Sequence, residues 1–184
     1  MALLHSSMVP LGTAVIDFEL PGVDGKEYCL KSFAAYKVLV IIFMCNHCPY
    51  VKAVIERLID LQQEFLGQGV RFVGINCNDA INYPDDSFES MHRVSKGWKM
   101  NFPYLFDESQ EVAKKYDAVC TPDIYVYGTK RTLLYRGRID DNWDKPDKVS
   151  RRDLKQAIDS ILSGENISIK QIPSMGCSIK WKTT

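Results

Sequence analysis

Two cysteines with two residues between them, Cys45 and Cys48 in Met44-Cys45-Asn46-His47-Cys48-Pro49, have the types and spacing for thiol–disulfide chemistry. One sulfur of such a pair can attack a foreign disulfide, and the other can release the mixed disulfide by internal attack. A thiolate at a helix start meets backbone N–H groups without intrahelical acceptors and the positive end of the helix dipole, so its pKa falls below roughly 8.5. The helix is expected to open at or just after Cys45. That placement makes Cys45 the attacking thiol and Cys48, one turn further in and more buried, the resolving thiol. His47 either brings an imidazolium to the pair, stabilising the thiolate and making the disulfide easier to reduce, or points into water.

A lone Cys-x-x-Cys is also half of a zinc site, and closed structural zinc sites take four ligands. His47, Cys77, Cys120 or Cys177 could complete one after folding, but no second closely spaced ligand pair exists. A metal carrier using Cys45, Cys48 and His47 therefore stands as an alternative to redox chemistry, and the expectation is no metal and no cofactor.

The second chemical cluster is Cys120-Thr121-Pro122-Asp123. Pro122 directly precedes an apolar run, where proline belongs at a strand start or edge. A cis Thr121–Pro122 bond would expose the Thr121 backbone to pair with an extended substrate beside the thiol. Cys120 reads as a third redox thiol or as a small buried residue. Cys29 and Cys77 read as core thiols, whereas Cys177, after Gly176 in an apolar tail, is a candidate for a place near the pair. His5 in a frayed start and His92 on a polar helix surface take no role. Asp140 to Trp143 form a polar loop that either rims the active end or is simply solvated and anchored by Trp143.

The elements that must position these groups follow from periodicity. Val38 to Phe43 is an unbroken β-branched and aromatic run, a strand buried on both faces. Val51, Val54, Ile55, Leu58, Ile59, Leu61 and Phe65 then recur at helical spacing. Gly67 and Gly69 end that helix, and Val70 to Asn76 restores a strand, giving a right-handed βαβ unit. Val15–Leu20 and Lys26–Leu30 around Asp24-Gly25 make a lead-in hairpin. Ser87 caps a helix through Trp98, and Ser109 caps another containing Val112 and Tyr116. Ile124–Tyr127 and Leu133–Arg138 pair as an antiparallel hairpin, and Ser150 opens a last helix that ends at Gly164. The result is an α/β fold with a mixed central sheet between helical layers. Residues 1–164 form one domain, and 165–184 form a tail apolar enough to dock on it.

These residues together identify a family. The buried strand, the Cys-x-x-Cys at a helix start and the Thr-Pro before an antiparallel strand resemble thioredoxin. Phe43 to Lys52, Thr121-Pro122-Asp123, Arg136 to Asp141 and Gly176 to Trp181 most resemble the peroxiredoxin-like group of the thioredoxin superfamily, which is alkyl hydroperoxide reductase/thiol-specific antioxidant-like and contains the Cys-x-x-Cys pair. Similarity runs from about Gly12 to Lys182. The resemblance implies a three-layer thioredoxin-like fold with an N-terminal β-hairpin, a helical insertion and a docked C-terminal tail. It also implies Cys45 as nucleophile, Cys48 as resolver and Pro122 as a cis proline supported by Thr121. Met44 stands where thioredoxins have tryptophan, and Leu39 where they keep a buried carboxylate. In the peroxiredoxin register Cys48 is the peroxidatic cysteine, but Cys45 occupies the threonine position and Ile41 the proline position. The implied activity is thiol–disulfide exchange, with thiol-dependent peroxide reduction by Cys48 as the alternative. The substrate is then a disulfide-containing protein, a small thiol or a peroxide, with an external dithiol such as a thioredoxin as reductant.

Composition limits the other classes. Lys plus Arg and Asp plus Glu both total 23 among 184 residues, so no broad charge imbalance invites nucleic acid or an anionic membrane. No apolar run reaches bilayer length, and the first twelve residues lack the basic cluster of a signal peptide. Six irregularly spaced cysteines do not make a disulfide scaffold, and a cytoplasmic location is expected.

Overall fold

The computed structural model describes residues 2–183; Met1 and Thr184, the outer ends of the two segments expected above, lie outside the described residues. The chain is built on the strand Val38–Phe43 (β4), all six residues of which are buried. It pairs in parallel with Val70–Asn76 (β5) and antiparallel with Asp123–Tyr127 (β8). Tyr104–Phe106 (β6) adds to β5 in parallel, and Leu133–Arg136 (β9) adds to β8 antiparallel, giving the order β6-β5-β4-β8-β9.

Strand alternation sends the side chains of β4 into two layers. Val38, Val40 and Ile42 pack with helix Pro49–Glu64 (α1) through Val51, Val54, Ile55 and Leu58, and with helix Asp153–Ser163 (α4) through Leu154 and Ile158. Leu39, Ile41 and Phe43 face Phe18, Phe33, Tyr116 and Tyr125 on the opposite side. Helix Phe88–Gly97 (α2) joins the first layer through Met91, and helix Glu111–Lys115 (α3) joins the second through Val112 and Ala113. This is a thioredoxin-like three-layer fold. The lead-in hairpin is present but shorter than expected, Glu19–Pro21 (β2) against Glu27–Cys29 (β3).

Several ends differ from the sequence expectation. Helix α1 opens at Pro49 with Cys48 as its N-cap, so Cys45 lies before the helix. The reason is Pro49: a helix begun at Cys45 would drive the proline ring against the Cys45 carbonyl, whereas proline suits the first helical position. Ser150 does not open α4. Its amide and hydroxyl bind the Asp141 carboxylate, and the helix starts at Asp153. Ser109 is not the α3 cap either. Gln110 holds that position at φ 65°, and the Asp107 carboxylate accepts the Ala113 N–H at 2.8 Å. Ser87 does cap α2, accepting from Ser90 N, and Gly164 ends α4 at φ 73°.

A second sheet was not anticipated. The tail strand Met175–Ser178 (β10) lies between Leu3–His5 (β1) and Cys120–Thr121 (β7), antiparallel to both. His5 is therefore not frayed; it pairs with Met175. No helix of the described residues is long and apolar enough to cross a membrane.

Candidate active site

The end of β4, the N-cap of α1, the β7–β8 junction and β10 meet at one point. The Thr121–Pro122 bond is cis. The Cys45 Sγ lies 3.5 Å from the Thr121 hydroxyl, and the Cys48 Sγ lies 3.1 Å from the Thr121 carbonyl oxygen. Cys45 and Cys48 are 1% and 0% exposed, so both sulfurs are sealed from solvent in this conformation. Cys177 sits across the ladder from Thr121, the residue that both Cys45 and Cys48 meet, and is near enough to Cys48 for each thiol to shift the other's pKa.

The charge of the pair belongs on Cys48. The Cys45 thiol beside it lowers the Cys48 pKa; burial opposes this, while Cys177, the Thr121 hydroxyl and the Val51 N–H in the first turn of α1 add to the lowering. When Cys48 carries its proton it donates to the Thr121 carbonyl, and when it ionises these donors remain. Cys45 is pushed the other way, first by the adjacent Cys48, then by burial and by the charge of Asp86. The sequence expectation had placed the helix start, and with it the thiolate, at Cys45.

His47 does not point into water. Its Nδ1 forms an ion pair with Asp86 Oδ2 at 2.6 Å, and its ring stacks on Tyr83 with centroids 5.8 Å apart. The adjacent Asp86 carboxylate raises the His47 pKa against the effect of burial. Burial also pushes Asp86 up, but His47, the Asn78 amide and the Asn46 N–H outweigh it and leave the carboxylate lowered. Asp86 is the candidate site residue that sequence reasoning missed. The Tyr-Pro-Asp-Asp loop was visible, but nothing local aims it at the cysteines. Leu39, at the position of the thioredoxin acid, faces the opposite layer from Cys45 and Cys48, and the carboxylate near the pair is Asp86, from a different element.

Cys45, His47 and Asp86 offer donor atoms within 4.8 Å of one another, the span of a metal-binding group. The Asp86 carboxylate pairs with His47 and accepts from the Asn46 N–H and the Asn78 amide. Cys120 is buried, and desolvation raises its pKa, as it does for Cys77. Asp140 is ion-paired to Arg57 at 2.8 Å and Trp143 packs on Tyr50, so the polar loop is pinned to α1. Loop and tail enclose an apolar cavity of about 400 Å³ that reaches Pro122, Met175 and His5.

The AhpC/TSA family model matches residues 11–136. No curated protein matches the sequence. Among solved structures, an uncharacterized conserved protein from Geobacillus kaustophilus is 44% identical, with 100% of this chain and 98% of that one covered at a TM-score of 0.94. A hypothetical protein from Sinorhizobium meliloti 1021 is 39% identical over 98% and 99% of the two chains, also at 0.94. A thiol:disulfide interchange protein of the thioredoxin family from Chlorobium tepidum is 16% identical over 84% and 99%, at 0.65, a likeness of fold alone.

Proposed function

The chain belongs to the AhpC/TSA family, and on that premise we propose that it is a thiol–disulfide oxidoreductase whose Cys45–Cys48 pair cycles between dithiol and disulfide. The observation that carries this reading is the convergence of both sulfurs on Thr121, immediately before a cis proline. The roles are exchanged from the sequence expectation. The Cys48 thiolate attacks one sulfur of a disulfide; that S–S bond breaks, and the leaving thiolate takes a proton from the His47 imidazolium. His47 then takes the proton of Cys45, whose thiolate attacks Cys48, closes the Cys45–Cys48 disulfide and expels the second substrate thiolate. An external dithiol such as a thioredoxin resets the pair. Six cysteines without scaffold spacing suit a reducing compartment such as the cytoplasm.

A single-turnover trap tests the assignment. With Cys177 also replaced by serine, so that no third thiol stands beside Cys48, Cys45→Ser should accumulate a mixed disulfide on Cys48, read by peptide mass, because the resolving thiol is gone. A mixed disulfide only on Cys45, seen in Cys48→Ser and absent from Cys45→Ser, would reverse the roles. No mixed disulfide in either variant would remove the reading.

A second reading rests on the position of Cys48 as the helix N-cap directly before Pro49, the peroxidatic register, with its pKa lowered. There the thiolate attacks a peroxide O–O bond, forms a sulfenic acid and releases water or an alcohol. Cys45 condenses with the sulfenic acid, releasing water. Position 45 lacks the hydroxyl of that register, but Thr121 brings one to the same sulfurs. Peroxide consumption as fast as disulfide exchange selects this reading.

A further inference from the structure

The backbone edge beside cis Pro122, where an extended disulfide substrate would pair, is occupied by the chain's own tail. Cys177 is in register with Thr121, and Ser178 with Cys120. The seating is tight: a Cβ on Gly176 would fall 1.9 Å from the Thr121 carbonyl oxygen, so the strand rests directly on the peptide unit that precedes Pro122. Strand β1 covers the outer edge of β10, with Leu3 opposite Cys177. A bond from Ile179 N–H to Val119 O at 3.0 Å continues the attachment. Three sulfurs thus surround one residue. Cys45 meets the Thr121 hydroxyl, Cys48 meets its carbonyl, and Cys177 stands across the ladder within reach of Cys48.

We propose that β10 is a tethered substrate strand and that Cys177 is a third redox thiol, which exchanges disulfides with Cys48. The proposal rests on the pair being redox-active, as set out above. In the oxidised pair Cys177 attacks the Cys48 Sγ as a thiolate, and the proton it gives up passes to the departing Cys45 sulfur. A Cys48–Cys177 bond forms, the Cys45–Cys48 bond breaks, and Cys45 leaves as a thiolate that takes up a proton. One disulfide replaces another, so no further oxidant or reductant enters. Burial and the neighbouring Cys48 hold the Cys177 pKa up at about 12 in the reduced protein. Oxidation of Cys48 removes its negative charge, which favours ionisation of Cys177 when its target appears. The exchange moves the disulfide from the buried pair to a strand in the second, three-stranded sheet, and it frees Cys45.

The test oxidises the full chain with one equivalent of a small symmetrical disulfide, quenches in acid with an alkylating agent and maps peptides without reduction. The expected result is a Cys48–Cys177 peptide beside Cys45–Cys48 in the wild type. In Cys45→Ser the Cys48–Cys177 peptide should be the main product, and in Cys177→Ser it should be lost completely. The proposal is overturned if Cys48 in Cys45→Ser ends only as a mixed disulfide with the reagent while Cys177 is alkylated. Failure of the underlying reading looks different, because the wild type would then form no Cys45–Cys48 disulfide at all. A wild type that closes Cys45–Cys48 but keeps Cys177 alkylated in every sample overturns the third thiol alone. Thermal unfolding of each variant confirms that the serine replacements are folded.

Discussion

Replacing Gly176 with alanine tests the contact on which the tail depends. The added Cβ falls 1.9 Å from the Thr121 carbonyl oxygen, 2.5 Å from its carbon and 3.1 Å from the Pro122 nitrogen, and all three are backbone atoms that cannot rotate away. Relaxed C···O contacts are about 3.3 Å or longer, so β10 must withdraw by more than about 1 Å. Hydrogen bonds such as Ile179 N–H to Val119 O, now 3.0 Å, then stretch out of range. Overpacking of this kind costs about 1–3 kcal/mol, and each lost hydrogen bond adds about 1 kcal/mol. A total near 3 kcal/mol lowers Tm by about 6–12 °C for a chain of this size. Should β10 peel away instead, the loss is capped at what the tail contributes, and Cys177, 3% exposed in the native chain, becomes open to solvent. Thermal unfolding together with timed alkylation and peptide mass assignment reads both outcomes. A variant with wild-type Tm and a still-protected Cys177 would refute the seating of Gly176 on the Thr121 carbonyl.

Three further expectations concern charged groups. Asp86→Asn should lower the His47 pKa in an imidazole NMR titration, because the paired Asp86 carboxylate is the main cause of its elevation. Since the folded His47 pKa is raised, its stabilisation is full below the unfolded value of roughly 6.5 and fades as pH rises through the folded one; the variant should flatten that dependence, and an unchanged titration would contradict the dyad. Asp123 is fully buried at the start of β8, and desolvation pushes it up to about 7 against the donating Tyr125 hydroxyl. Its folded pKa is raised, so stability falls as pH rises from the unfolded value towards 7. Asp123→Asn should therefore stabilise by a few kcal/mol at pH 8 and by almost nothing at pH 3, on the order of 1.4 kcal/mol for each tenfold change in protonation equilibrium. Equal effects in urea melts at the two pH values would count against this. Arg57→Ala strands the buried Asp140 carboxylate and removes bonds of 2.9 Å and 2.7 Å to the carbonyls of Asn142 and Trp143. It should destabilise by about 3 kcal/mol and raise amide exchange through residues 140–143.

Most of what short-range pattern sets was legible in the sequence, the caps at Ser109 and Ser150 excepted, where nearby carboxylates took the serines or the helix amides. The apolar run of β4, the helical spacing of α1, the Ser87 cap and the Gly164 stop are each written in a few neighbouring residues, because strand and helix periods and cap chemistry act over one or two turns. The Cys-x-x-Cys spacing and the Thr-Pro before β8 were equally plain, and resemblance joined them. The start of α1 was also legible through Pro49, although the cysteine pattern drew it to Cys45. Only the tertiary structure decided that Asp86 meets His47, that Cys177 faces Thr121, and that the first strand covers the last. Those encounters depend on sheet register and on which loop lies over which helix end, and no local preference in the chain encodes them. The ionisation of the pair belongs with them, since a thiol's pKa is set by the donors, charges and burial that surround it after folding.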